Sequence, residues 1–155
     1  MRRSSLFDRV RASAVHLGIS TVIALAALTL IYLVWYPQSL AETQGVSRLA
    51  LVLIGVDVTI GPLITLIIFN RAKKSLRFDL AVVACLQVAA LIYGMHSIFI
   101  ARPAIIAFNV DRFDVVPALD VEQESLERAV TAGKPGLPVW GPRIVYAQLP
   151  DSKRE

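Results

Sequence analysis

Asp57 is the residue in this sequence with the most chemistry to explain. It stands in GVDVTIGPLITL, Gly55 to Leu66, an apolar run that also carries the helix-disrupting pair Gly61-Pro62. Gln87 and Tyr93 sit in a later apolar block, and Thr59 and Thr65 add hydroxyls close by. A carboxylate with an amide and a phenol within reach would form a polar site for a proton, an ion or a partner's helix. The alternative is a buried hydrogen bond that fastens two helices together. Other chemistry is poorly provided for. His16 and His96 are the only histidines and Cys85 the only cysteine, so no metal-ligand cluster can be assembled and no intrachain disulfide formed. The chain has no phosphate-binding glycine loop and no nucleophile elbow. The residues suggest neither an enzyme nor a cofactor.

The elements that must position Asp57 follow from composition. Of the 155 residues 55% are hydrophobic and only 18% charged, against about 45–50% and about 25% in ordinary soluble domains. Three blocks hold the excess: roughly Ala14–Tyr36, Leu49–Phe69 and Leu80–Ile100. Each is long enough for a helix to cross a hydrocarbon core of about 30 Å. The net charge of +4 does not mark a nucleic-acid binder, because its location tracks the membrane. Arg2, Arg3, Arg9 and Arg11 precede the first block, and Arg71, Lys73, Lys74 and Arg77 fill the turn between the second and third. The loop from Pro37 to Ser47 carries only Glu42. Basic residues mark the cytoplasmic side, so the N-terminus (residues 1–13) is expected inside, with three crossings over residues 14–100 and the tail outside. Trp35-Tyr36 resembles an interfacial anchor and favours an uncleaved first span.

Depth counting then places Asp57 about 12 Å from the outer end of the second helix and about 18 Å from its inner end. A carboxylate there costs about 2.5–3.5 kcal/mol on insertion scales, so it should face protein or water. In an antiparallel hairpin, residues near Leu91 lie level with it. Tyr93 is then expected within reach, and Gln87 about one turn towards the cytoplasm. Pro62 removes a backbone hydrogen bond and should kink the helix or open a small cavity.

Residues 101–155 change character. Ile105 to Val116 is rich in strand formers and reads as an extended segment, either a hairpin or a bulged strand. Asp120 looks like the N-cap of a helix through about Thr131, and Arg143 to Leu149 reads as a further strand. Glycine-proline clusters at Gly133 to Gly136 and at Gly141-Pro142 mark turns. The segment Asp111-Arg112-Phe113-Asp114 is either a solvated ion-pair turn or, with Arg102, a recognition edge on the outer face. Ser152 and Glu155 have capping-box spacing, the mark of a helix about to begin. The tail therefore reads as a small, incomplete α+β module, truncated rather than completed by a partner.

HLGIS (His16–Ser20), VWYPQSL (Val34–Leu40), GVDVTIGPLITL, AKKSLRFDL (Ala72–Leu80), LQVAALIYG (Leu86–Gly94), ARPAIIAFNVDRFDVV (Ala101–Val116) and WGPRIVYAQLP (Trp140–Pro150) together resemble the type IV pilin accessory protein family. The ordered set spans nearly the whole chain. The resemblance implies a multi-pass protein of the bacterial inner membrane with its tail in the periplasm, a non-catalytic, chaperone-like assistant to type IV pilin in pilus biogenesis. The family's recurrent motifs correspond here to Asp57, Gly61-Pro62, Gln87, Tyr93-Gly94, Arg102-Pro103 and Asp111-Arg112-Phe113, without assigned roles. The expected partners are a pilin, the pilus assembly machinery and membrane lipid, and not nucleic acid. Two other classes stay open: a small ion- or proton-coupled transport subunit using Asp57, and a general cell-envelope assembly scaffold.

Overall fold

A computed structural model describes residues 5–37, 39–109 and 111–146. Helix α1, Leu6–Thr29, continues into a π-helical segment, Leu30–Trp35. A one-turn helix α2, Leu40–Thr43, leads into α3, Val46–Ile68, and a short turn leads into α4, Leu76–Ile100. Three of these runs are long and apolar enough to cross a membrane: Leu6–Trp35, Val46–Ile68 and Leu76–Ile100. Their outward faces carry Leu25, Leu33, Leu51, Ile67, Leu86 and Ile92, all exposed, which only a hydrocarbon solvent accommodates. The chain is a mainly helical membrane protein with a small mixed module after the third span.

Helix α1 starts within the basic lead-in because Ser5 and Asp8 close a capping box. Asp8 N–H donates to Ser5 Oγ at 3.3 Å, and Ser5 N–H donates to the Asp8 carboxylate at 3.3 Å. At its far end the backbone widens, with Tyr36 N–H donating to Ile31 O at 2.8 Å. The turn between α3 and α4 is held by the Lys73–Asp79 ion pair, and Arg71 reaches back to Asp8 on α1 at 3.1 Å.

Helix α3 is central and packs against both α1 and α4, whereas the outer two barely touch one another. The α1 face that meets α3 carries small residues, with Ser20, Ala24 and Ala27 buried, and Ala50 on α3 is fully buried. Small side chains let membrane helices approach closely. The densest packing lies at the end that carries α2 and the tail module, where Ile31, Trp35, Tyr36, Ala41, Val46, Ala50 and Ile98 form one cluster.

Beyond α4, β1 (Pro103–Asn109) and β2 (Arg112–Pro117) form the expected hairpin, with an irregularity between Pro103 and Ile105. Helix α5, Gln123–Thr131, follows, and β3, Arg143–Tyr146, returns parallel to β1, giving the strand order β2-β1-β3. Asp120 is not the N-cap of α5. A 3₁₀ turn occupies Ala118–Asp120, and the cap position is Glu122, with no side-chain hydrogen bond. The strand expected to run to Leu149 is described as far as Tyr146, and Ser152 and Glu155 lie outside the described residues. Gly133 and Gly141 both take left-handed backbone conformations, at φ 76° and 59°, which explains glycine at those two turns.

Candidate functional site

The polar site is built on the Pro62 turn of α3. Proline has no N–H, so the turn before it lacks one ladder bond. Side chains from both neighbouring helices attach to α3 here. From α1, Ser13 Oγ donates to Pro62 O at 2.8 Å, and one turn on His16 Nδ1 lies 2.6 Å from the hydroxyl of buried Thr65. From α4, Gln87 Nε2 donates to Asp57 O at 3.0 Å. Helix α3 remains continuous from Val46 to Ile68 through this break.

Gly61 makes the Gln87 contact sterically feasible. A Cβ at Gly61 would lie 2.1 Å from Gln87 Nε2, so no larger residue fits while the amide holds its place. Towards the outer end the roles reverse: a Cβ at Gly94 of α4 would lie 2.5 Å from Leu53 of α3. The two glycines set the register of the helical hairpin. Gln87 Oε1 is buried and has no hydrogen-bond partner among the described residues.

Asp57 is half-buried at the floor of a cleft of about 180 Å³, walled by His16, Ser20 and Ala24 of α1 and by Ala84, Gln87, Val88 and Leu91 of α4. Asp57, Gly61, Pro62 and Gln87 are therefore brought together. Tyr93 is not. It is 76% exposed and forms no part of the cleft wall, because it lies on the face of α4 turned away from α3. The residues missed from sequence are those of α1: Ser13, His16 and Ser20. Their spacing of three and four residues puts them on one helical face, a signal that was available.

The outer group of expected residues also divides. Arg102 is 7% exposed and lies at the junction of membrane helices and tail. Its guanidinium donates to Phe99 O at 2.8 Å and to Pro138 O at 3.3 and 3.2 Å, and sits 3.8 Å from the centre of the Phe99 ring. Phe99 in turn packs on Trp35, with ring centres 5.0 Å apart. Burial lowers the Arg102 pKa, opposed by neighbouring Tyr36. Asp111, Arg112 and Phe113 lie apart from it and are exposed, with an Arg112–Asp114 ion pair at 3.4 Å. Phe113 begins an aromatic row that crosses all three strands: its ring centre is 5.0 Å from that of Phe108, which is 6.1 Å from that of Tyr146. Strand register puts Ile106, Val115 and Ile144 on the same face. The opposite face, with Ile105 and Val145, shares a cavity with Leu126 and Ala129 of α5.

These features define a three-span membrane protein with a largely apolar cleft floored by one carboxylate, and an aromatic-faced module beyond the third span. The family described as fimbrial assembly protein FimB matches residues 4–45, through α1 and α2. Fimbrial assembly protein of serogroup E1 from Dichelobacter nodosus is 33% identical over 132 residues, 84% of this chain and 51% of that protein. The serogroup I protein is 32% identical over the same shares. The protein of serogroups C1 and C2 is 30% identical over 131 residues, 83% of this chain and 100% of its own length. The chain belongs to the fimbrial assembly protein family, in agreement with its resemblance to type IV pilin accessory proteins. It spans about half the length of the serogroup E1 and I relatives. No solved structure matches.

Proposed function

We propose that the chain is a non-catalytic, chaperone-like accessory of fimbrial assembly in the inner membrane, and that its cleft receives the transmembrane helix of a type IV pilin. The observation that carries this reading is the open groove between α1 and α4, floored by Asp57. A carboxylate facing hydrocarbon is costly, and a visiting helix that offers a hydrogen-bond donor to Asp57 offsets that cost. The module in the periplasm would touch the same partner's head domain through its aromatic face.

Photo-cross-linkers at Ile23 and Val88, both walls of the cleft, are expected to capture pilin, while one at exposed Leu51 is not. Capture confined to the protein's own helices overturns the proposal. Asp57→Asn separates the rival class. Unchanged piliation with loss of a proton-dependent flux would assign ion-coupled transport instead.

A further inference from the structure

The cleft at Asp57 is the upper part of a longer groove. His16, Ile19 and Ala84 line both it and a second hollow of about 470 Å³, which runs between α1 and α4 to the basic end of the bundle. Val15, Ile19 and Ala84 give this lower hollow apolar walls, while its mouth carries Arg11, Arg71 and Asp8. We infer that this lower groove is a binding site for one phospholipid with an anionic headgroup, its acyl chain lying between α1 and α4 and its phosphate at Arg11.

Two observations favour lipid of that charge. The walls lie within spanning helices, where an apolar slot is filled by whatever chain the bilayer supplies. The mouth is charge-selective: Arg71 pairs with Asp8 at 3.1 Å and so neutralises the one carboxylate there. Arg11 has no ion-pair partner among the described residues and keeps its charge for a ligand. A zwitterionic headgroup would bring its own cation to that arginine, whereas phosphatidylglycerol would not. Basic pockets between membrane helices recognise anionic headgroups in this way. The inference does not rest on the pilin reading, and its test contains no partner protein.

The test uses the full chain reconstituted in phosphatidylcholine bilayers with trace chain-spin-labelled lipid, reading the immobilised component by electron paramagnetic resonance. Labelled phosphatidylglycerol should be immobilised in preference to labelled phosphatidylcholine. Arg11→Gln should lower that preference about fivefold. Ala84→Leu, which fills the groove and leaves both arginines intact, should remove the component. Lys74→Gln, in the same basic region but off the groove, should leave it unchanged. Absence of a preference in the unaltered chain overturns the site. So does an equal effect of Lys74→Gln, which would mean a diffuse basic surface, or indifference to Ala84→Leu, which would mean that no chain enters the groove.

Discussion

At the level of single residues, Gly61 and Gln87 are one device. The amide lies where a methyl group would be, and that closeness lets it reach the Asp57 carbonyl. Gly61→Ala should cost about 1–3 kcal/mol by overpacking, measured by unfolding in mixed micelles. Gln87→Ala should cost only about 0.6 kcal/mol, the mean for polar contacts in membranes. The double variant should be more stable than Gly61→Ala alone, because the clash has gone. A double variant no better than Gly61→Ala would mean that glycine is needed for its backbone rather than for space. Arg102 is a second such device, with a different readout. Arg102→Ala should loosen the segment around Pro138 and speed its cleavage by protease. Lys should not rescue it, since an ammonium cannot both bridge to Pro138 O and stack flat on Phe99.

At the level of elements, close approach of α1 and α3 depends on small side chains. Ala50→Leu should cost about 1–3 kcal/mol in the same unfolding measurement, whereas Leu51→Ala, on the exposed face, should be near neutral. The three spans were legible because a 20-residue apolar block with basic flanks admits few other readings. The Asp57–Gln87 pairing was nearly legible, because a short turn fixes the α3–α4 register. The share of α1 in the cleft was not. The spacing of Ser13, His16 and Ser20 marks a common face, but the connection between α1 and α3 leaves their relative depth free, so what that face meets on α3 does not follow from it. Tyr93 was misplaced for a simpler reason: depth counting gives height along a helix and not the direction in which a side chain points. Asp120 was misread because its capping chemistry is shared with tight turns, and here a 3₁₀ turn took it.

At the level of the whole molecule, a spanning α4 separates the α3–α4 turn from the α5 module, and the positive-inside pattern predicts the turn on the cytoplasmic side. With Cys85 replaced by Ala, Glu127→Cys should react with a membrane-impermeant maleimide in intact cells, and Lys74→Cys only after lysis. The reverse pattern would invert the topology and move the aromatic face away from any periplasmic partner. The module shows why such a face persists. One side of its sheet shares a cavity with α5, while the other leaves Phe113, Ile144 and Tyr146 all more than 60% exposed. Exposed apolar faces of this kind mark interaction sites.

The Arg102–Pro138 contact also sets an order in time. The arginine is made as α4 ends, but the carbonyl that receives it lies 36 residues further on. At ordinary synthesis rates of about 5–20 residues per second, that acceptor arrives about 2–7 s later. In that interval the β1–β2 hairpin can close by itself, while the parallel strand β3 has yet to be made. The contact that joins the module to the membrane helices can therefore form only after the glycine-notched hairpin of α3 and α4 has been made. A nascent chain stalled before Pro138 should show a protease-sensitive junction, and one released beyond Tyr146 a protected one.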